Sequence, residues 1–121
     1  MKLCITATGE NLEAAVDPRF GRCQYFIFVD SDTLEFKAVK NPNIDTRGGA
    51  GIQSGQLVAA EKVEAVLTGN VGPNASETLN ALGIKVFVGA SGTVRDAVRQ
   101  YKEGSLKQTT DPSVQSHFGN K

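Results

Sequence analysis

"DPRFGRC", residues 17–23, sets two arginines and a thiol around a Phe–Gly turn. Arginine stays cationic at physiological pH and donates forked hydrogen bonds to anionic groups. Arg19 and Arg22, with Arg47 farther along, are therefore candidate anion contacts, weighed against plain solvated charge. Cys23 adjoins Arg22, and a neighbouring cation favours the thiolate, the form that ligates metals. The other thiol, Cys4, sits in an apolar run and reads as a small core residue. His117 is the sole histidine and reads as a surface residue in a loose tail. Two cysteines and one histidine fall short of a four-ligand zinc or iron–sulfur cage.

The second chemical signal is "RGGAGIQSG", residues 47–55, with four glycines in nine positions. Glycine permits a tight turn, or a loop whose peptide N–H groups face a guest. Two familiar phosphate motifs fail here. The G-x-G-x-x-x-G spacing does not directly follow a strand, and the region about 20 residues on holds "TGNVG" rather than an acidic ribose partner. A P-loop needs G-K-[ST], whereas Gly55 is followed by Gln56. Two-metal phosphoryl chemistry needs clustered carboxylates at strand ends; "KLCIT" and "AVLTG" carry none.

The bulk numbers suit one domain with a core: 121 residues, 40% apolar, thirteen basic and thirteen acidic side chains. With zero net charge no global field draws nucleic acid or an anionic membrane, so any charged ligand is recognised locally. The apolar run in "MKLCITATG" is too short for a signal peptide or a membrane span, which makes a cytoplasmic location the expectation.

The elements that must position these residues are readable from periodicity. Residues 2–6 and 24–30 are buried strands, and 34–40 alternates apolar with charged, Leu34, Phe36 and Ala38 facing one way. Residues 7–23 form a loop or irregular excursion. A helix runs from about 51 to 62, a strand over 64–69, and a helix from Pro73 that ends before Gly83, with Ala75, Leu79 and Leu82 on one face. Residues 84–89 are a strand. Thr93 and Asp96 start a final helix with a capping-box pattern, and Val94, Ala97, Val98 and Tyr101 line its inner face.

Right-handed βαβ crossovers then require an α/β fold, a mixed five-stranded sheet ordered 3-2-1-4-5 and flanked by helices, a ribonuclease H-like layout. Residues 1–104 make the domain and 105–121 a flexible tail. Ligands of such sheets bind beyond the carboxyl ends of parallel strands. Loops 6–9, 68–74 and 89–93 leave those ends, and 47–55 can join them. Helix N-termini and consecutive amides on that rim make an anion pocket the expected site.

Taken together, "RFGRCQYFIFVD", "GGAGIQ" and "VLTGNVGPNASETLNALGIKVFVGASGTVRDAV" resemble the dinitrogenase iron–molybdenum cofactor biosynthesis and binding family, over about residues 1–103. The resemblance implies a small noncatalytic protein that carries an iron–molybdenum cofactor or its iron–sulfur precursor. A related protein holds a molybdenum–copper sulfide cluster. Residues implied by the matching motifs are Arg19, Phe20, Gly21, Arg22 and Cys23, then Gly48, Gly49, Ala50, Gly51 and Gln53, with Asn70 and Asn74 as amide donors and Cys23 as a metal ligand. A protein that donates or accepts the cluster is the implied partner. The alternative is a module or enzyme that binds a phosphate- or carboxylate-bearing small molecule on the same rim.

Overall fold

The computed structural model describes residues 1–42 and 50–109. The tail from residue 110 on, including His117, lies outside them, as do Arg47, Gly48 and Gly49.

Six strands form one sheet: β1 (Lys2–Ala7), β2 (Tyr25–Asp30), β3 (Phe36–Lys40), β4 (Ala65–Leu67), β5 (Lys85–Val88) and β6 (Lys107–Thr109), ordered β3-β2-β1-β4-β5-β6. β1, β4 and β5 are parallel, while β2 runs antiparallel to both β1 and β3. The 3-2-1-4-5 order expected from the crossovers is thus present, but the sheet has six strands rather than five. "KQT" after the last helix adds an antiparallel edge, with Lys107 opposite Val88 and Thr109 opposite Val86. Its polar side chains gave no strand pattern because an edge strand derives its order from ladder hydrogen bonds rather than from burial.

Among the described residues three helices, α1 (Ala50–Ala60), α2 (Pro73–Ala81) and α3 (Val94–Glu103), cover the two faces. Strand side chains alternate, so each strand feeds both cores. Cys4, Phe26, Phe28, Val66 and Val86 point into one core with Val58 of α1 and Leu79 of α2. Leu3, Ile5, Ile27, Val29 and Leu67 point into the other with Val94, Ala97 and Val98 of α3. α1 and α2 pack side by side, and their contact accounts for one glycine of the rich stretch. A Cβ on Gly55 would lie 2.8 Å from Thr78 Cγ2. Two differences from the periodicity are local. Leu82 caps α2 and is exposed, outside the helical face it was assigned to. Leu34 belongs to the turn before β3, at φ 64°, where Asp30 accepts from the Asp32 and Thr33 amides.

The start of α3 matches its pattern: Thr93 Oγ1 accepts from Asp96 N, and Asp96 Oδ2 accepts from Thr93 N. The Thr93 amide, followed by Arg99, holds the Asp96 carboxyl below the usual carboxylate range. A carboxyl lowered in the folded state stabilises above its unfolded value, near pH 4, and loses that contribution as pH falls through its folded value. Asp96→Ala is therefore less stable than the parent at pH 7, and urea unfolding shows the gap narrowing below about pH 4.

Candidate functional site

Because β1, β3, β4 and β5 all point the same way, Ala7, Lys40, Leu67 and Val88 end on one rim, and α1, α2 and α3 all begin there. Residues 8–24 leave β1 on this rim and cross it. Ala15 bridges to Thr93 and Val16 to Ala7; beyond Asp17, Arg19 bridges in parallel to Asn70. Leu12 joins the α3-side core, whereas Phe20 and Cys23 join the α1/α2-side core. The excursion read as an irregular loop is therefore a strap over the ends of the parallel strands.

Its crossing point is pinned. Asp17 N donates 2.9 Å to Thr6 O, and Thr6 Oγ1 donates back to Asp17 O and shares a 2.8 Å hydrogen bond with Thr68 Oγ1. All three residues are buried. Thr6 and Thr68 open two of the expected rim loops, but the pairing of their hydroxyls 62 positions apart appears only once β1 and β4 are neighbours. Thr6→Val leaves Thr68 and the Asp17 carbonyl without that hydroxyl, and costs about 2 kcal/mol by denaturant unfolding. In the Thr6→Val/Thr68→Val pair the loss is smaller than the sum of the two single changes.

The strap also decides which amides remain for a ligand. Val94 N donates to Ala14 O and Arg95 N to Leu12 O, each at 2.9 Å. The capping box takes Thr93 N and Asp96 N. In the loop before α3, Gly89 N and Ala90 N donate to Gly69 O and Thr68 O, and Ser91 N donates to Gln100 Oε1. The amides of Gly89, Ala90, Ser91 and Thr93 and those opening α3 are thus spent on the protein's own carbonyl, carboxylate and hydroxyl oxygens, contrary to their expected place in the anion pocket. The start of α2 differs. Gly72 is its N-cap with no side-chain cap bond, and Pro73 has no N–H. The Asn74 and Ala75 amides have no partner within a helix at these positions, so this end keeps its partial positive charge.

The site residues group accordingly on the α1/α2 half of the rim. Asn70 N donates 2.8 Å to Pro18 O, and Phe20 N reaches Asn70 O at 3.4 Å. This ties the arginine turn to the loop that opens α2. Arg22, Asn70 and Asn74 are exposed, as is Gln53 in the first turns of α1. Ala50 and Gly51 open α1. Arg19 is held from behind: its amide and Nε donate to Asp17 Oδ1 at 3.1 and 3.2 Å, while its side chain stays 62% exposed. Phe20 is an anchor, 7% exposed, its ring 5.8 Å from that of Phe26. Gly21 turns the chain at φ 92°. Asn41, unmarked in the sequence, is buried and donates to Gly21 O and Cys23 O at 3.1 and 2.8 Å, fixing the turn to the end of β3.

Cys23 faces the core. Burial, then the Asp17 charge, pushes its thiol up to about 12, and backbone hydrogen bonds at Gly21 and Cys23, followed by the Arg19 charge, offset this only in part. The thiolate expected from its neighbour Arg22 is therefore disfavoured in this structure. Cys4 is also buried and raised, for the same leading reason. Among the described residues no three His, Cys, Asp or Glu side chains gather as a metal-holding group, and no helix is long and apolar enough to cross a membrane.

Known proteins share this architecture. The apo form of the orange protein from Desulfovibrio gigas is 37% identical, with a TM-score of 0.89 over 93% of this chain and 96% of that one. A NifB-like protein from Thermotoga is 34% identical, with a TM-score of 0.81 over 95% of this chain and 98% of its own. The uncharacterized protein MJ0580 of Methanocaldococcus jannaschii is 29% identical over 96 residues, 77% of this chain and 81% of the relative. The model of one family, dinitrogenase iron-molybdenum cofactor, matches residues 1–104, which include the strap, the start of α2 and every rim loop described above. The chain belongs to the dinitrogenase iron–molybdenum cofactor family.

Proposed function

We propose that the protein is a noncatalytic carrier of an anionic metal–sulfur cluster, an iron–molybdenum cofactor or a related iron–sulfur or molybdenum-containing cluster. Its layout is read as ribonuclease H-like and its compartment as the cytoplasm. The observation that carries this reading is the Arg19–Asn70 bridge, which sets the arginine turn beside the uncapped start of α2. Family membership and the orange protein likeness support it.

Each rim residue has a physical role in this reading. Arg19 and Arg22 supply fixed positive charge and planar donors, suited to sulfide or oxygen acceptors on a cluster surface. The Asn74 and Ala75 amides add aligned donors at the positive end of α2. Asn70, Asn74 and Gln53 contribute side-chain amides at the perimeter. A hold made of charge and hydrogen bonds releases its cargo without breaking a metal–ligand bond, as a carrier between a donor and an acceptor protein requires.

Protein isolated anaerobically and mixed with tetrathiomolybdate, with and without copper(I), tests the reading. The expected result is a visible charge-transfer band that co-elutes with the protein in gel filtration, together with the added metal. A colourless, metal-free protein from every such mixture would remove the reading. Stabilisation by phosphometabolites alone would favour a small-molecule module on the same rim.

A further inference from the structure

Ser54 and Ser76 are 0% and 1% exposed, and neither hydroxyl has a hydrogen-bond partner among the described residues. A buried orphan hydroxyl is costly, and alanine at either place would remove that cost and favour the helix. Native structures satisfy nearly all buried polar atoms, so the exceptions call for a cause.

Both orphans lie in the leading half of a helix that starts on the rim. Ser54 is the fifth residue of α1 and Ser76 the fourth of α2. The two helices run in the same direction on one face of the sheet, and helical Cα–Cβ bonds tilt towards the N-terminus. The hydroxyls thus lean towards the end where α2 leaves its first amides without helical partners. One residue beyond Ser54, Gly55 packs against the Thr78 side chain of α2.

Resting on the carrier reading above, we infer that Ser54 and Ser76 are hydroxyl donors reserved for the guest. They meet a tetrahedral, sulfide- or oxygen-rimmed anion when the first turns of α1 and α2 part to admit it. Buried and without a partner among the described residues, the two hydroxyls gain one in the loaded form.

The test compares the full chain with Ser54→Ala/Ser76→Ala, using tetrathiomolybdate, molybdate and inorganic phosphate as separate probes. Thermal unfolding without ligand is expected to rise by a few degrees in the variant. The tetrathiomolybdate Kd is expected to weaken at least about tenfold. Hydrogen exchange at the first turns of α1 and α2 should slow on binding in the parent and less so in the variant. An unchanged Kd, or a less stable variant, overturns the inference and leaves the arginine rim standing. Molybdate or phosphate binding that the variant loses, without any tetrathiomolybdate binding, keeps the hydroxyl assignment and overturns the metal–sulfur cargo. A parent that binds none of the three probes overturns both.

Discussion

Gly69→Val is expected to lower stability by about 3–5 kcal/mol, roughly 15 °C in Tm, and to abolish ligand capture on the rim. A Cβ at Gly69 would lie 2.7 Å from both Cα and Cβ of Pro18 and 3.1 Å from its carbonyl oxygen. The first of these is backbone, and the proline ring cannot rotate away. The strap must therefore lift, breaking the Asn70 N to Pro18 O bond and the Phe20 N to Asn70 O bond. Overpacking accounts for about 1–3 kcal/mol and each lost hydrogen bond for about 1. The loss is a large share of the roughly 5–15 kcal/mol that such a domain holds. Gly72→Ser is the control. A Cβ there meets nothing within 4 Å, φ is −82°, and serine is a favoured N-cap. This variant should unfold within about 0.5 kcal/mol of the parent. Equal losses at both glycines would show that the strap is not held by close approach at Gly69.

Strand order was legible because it follows from rules of handedness and connection that depend only on element type. The α3 start was legible because Thr93 and Asp96 state their pairing within four residues. The sixth strand was not, since "KQT" has no apolar face and is ordered by β5. The site divides in the same way. The arginine turn and Asn70 stood out by residue type, and the fold brings them together. The capping of α3 by the carbonyls of Leu12 and Ala14 had no signature, because main-chain acceptors are common to every residue. This is why a rim of several glycine loops narrowed to its α1/α2 half. Adjacency of Cys23 to Arg22 in sequence says nothing about which way each side chain turns, and here Arg22 is exposed while Cys23 enters the core. Asn41 was invisible because its side-chain amide reaches carbonyls 18 and 20 positions earlier.

Changing Arg19 and Arg22 together to alanine is expected to weaken cluster retention at least about a hundredfold, taking about 1.5–3 kcal/mol for each charged hydrogen-bonding group removed. The two positions should separate on stability. Arg22→Ala alters an exposed side chain and is expected to stay within about 1 kcal/mol of the parent. Arg19→Ala strips the Nε donor from Asp17 Oδ1 and the Nη2 donor, at 3.4 Å, from Oδ2, on a side chain only 2% exposed. The Arg19 amide still reaches Asp17 Oδ1, so the expected cost is about 1–2 kcal/mol rather than the full penalty of a stranded buried carboxylate. Arg19→Lys keeps the charge but not the fork, and should fall between parent and alanine in retention. Visible absorbance and metal content after anaerobic gel filtration report retention, and urea unfolding of the cluster-free variants reports stability. Retention equal to the parent's in a folded double variant would mean that the cluster is held elsewhere than at the arginine turn.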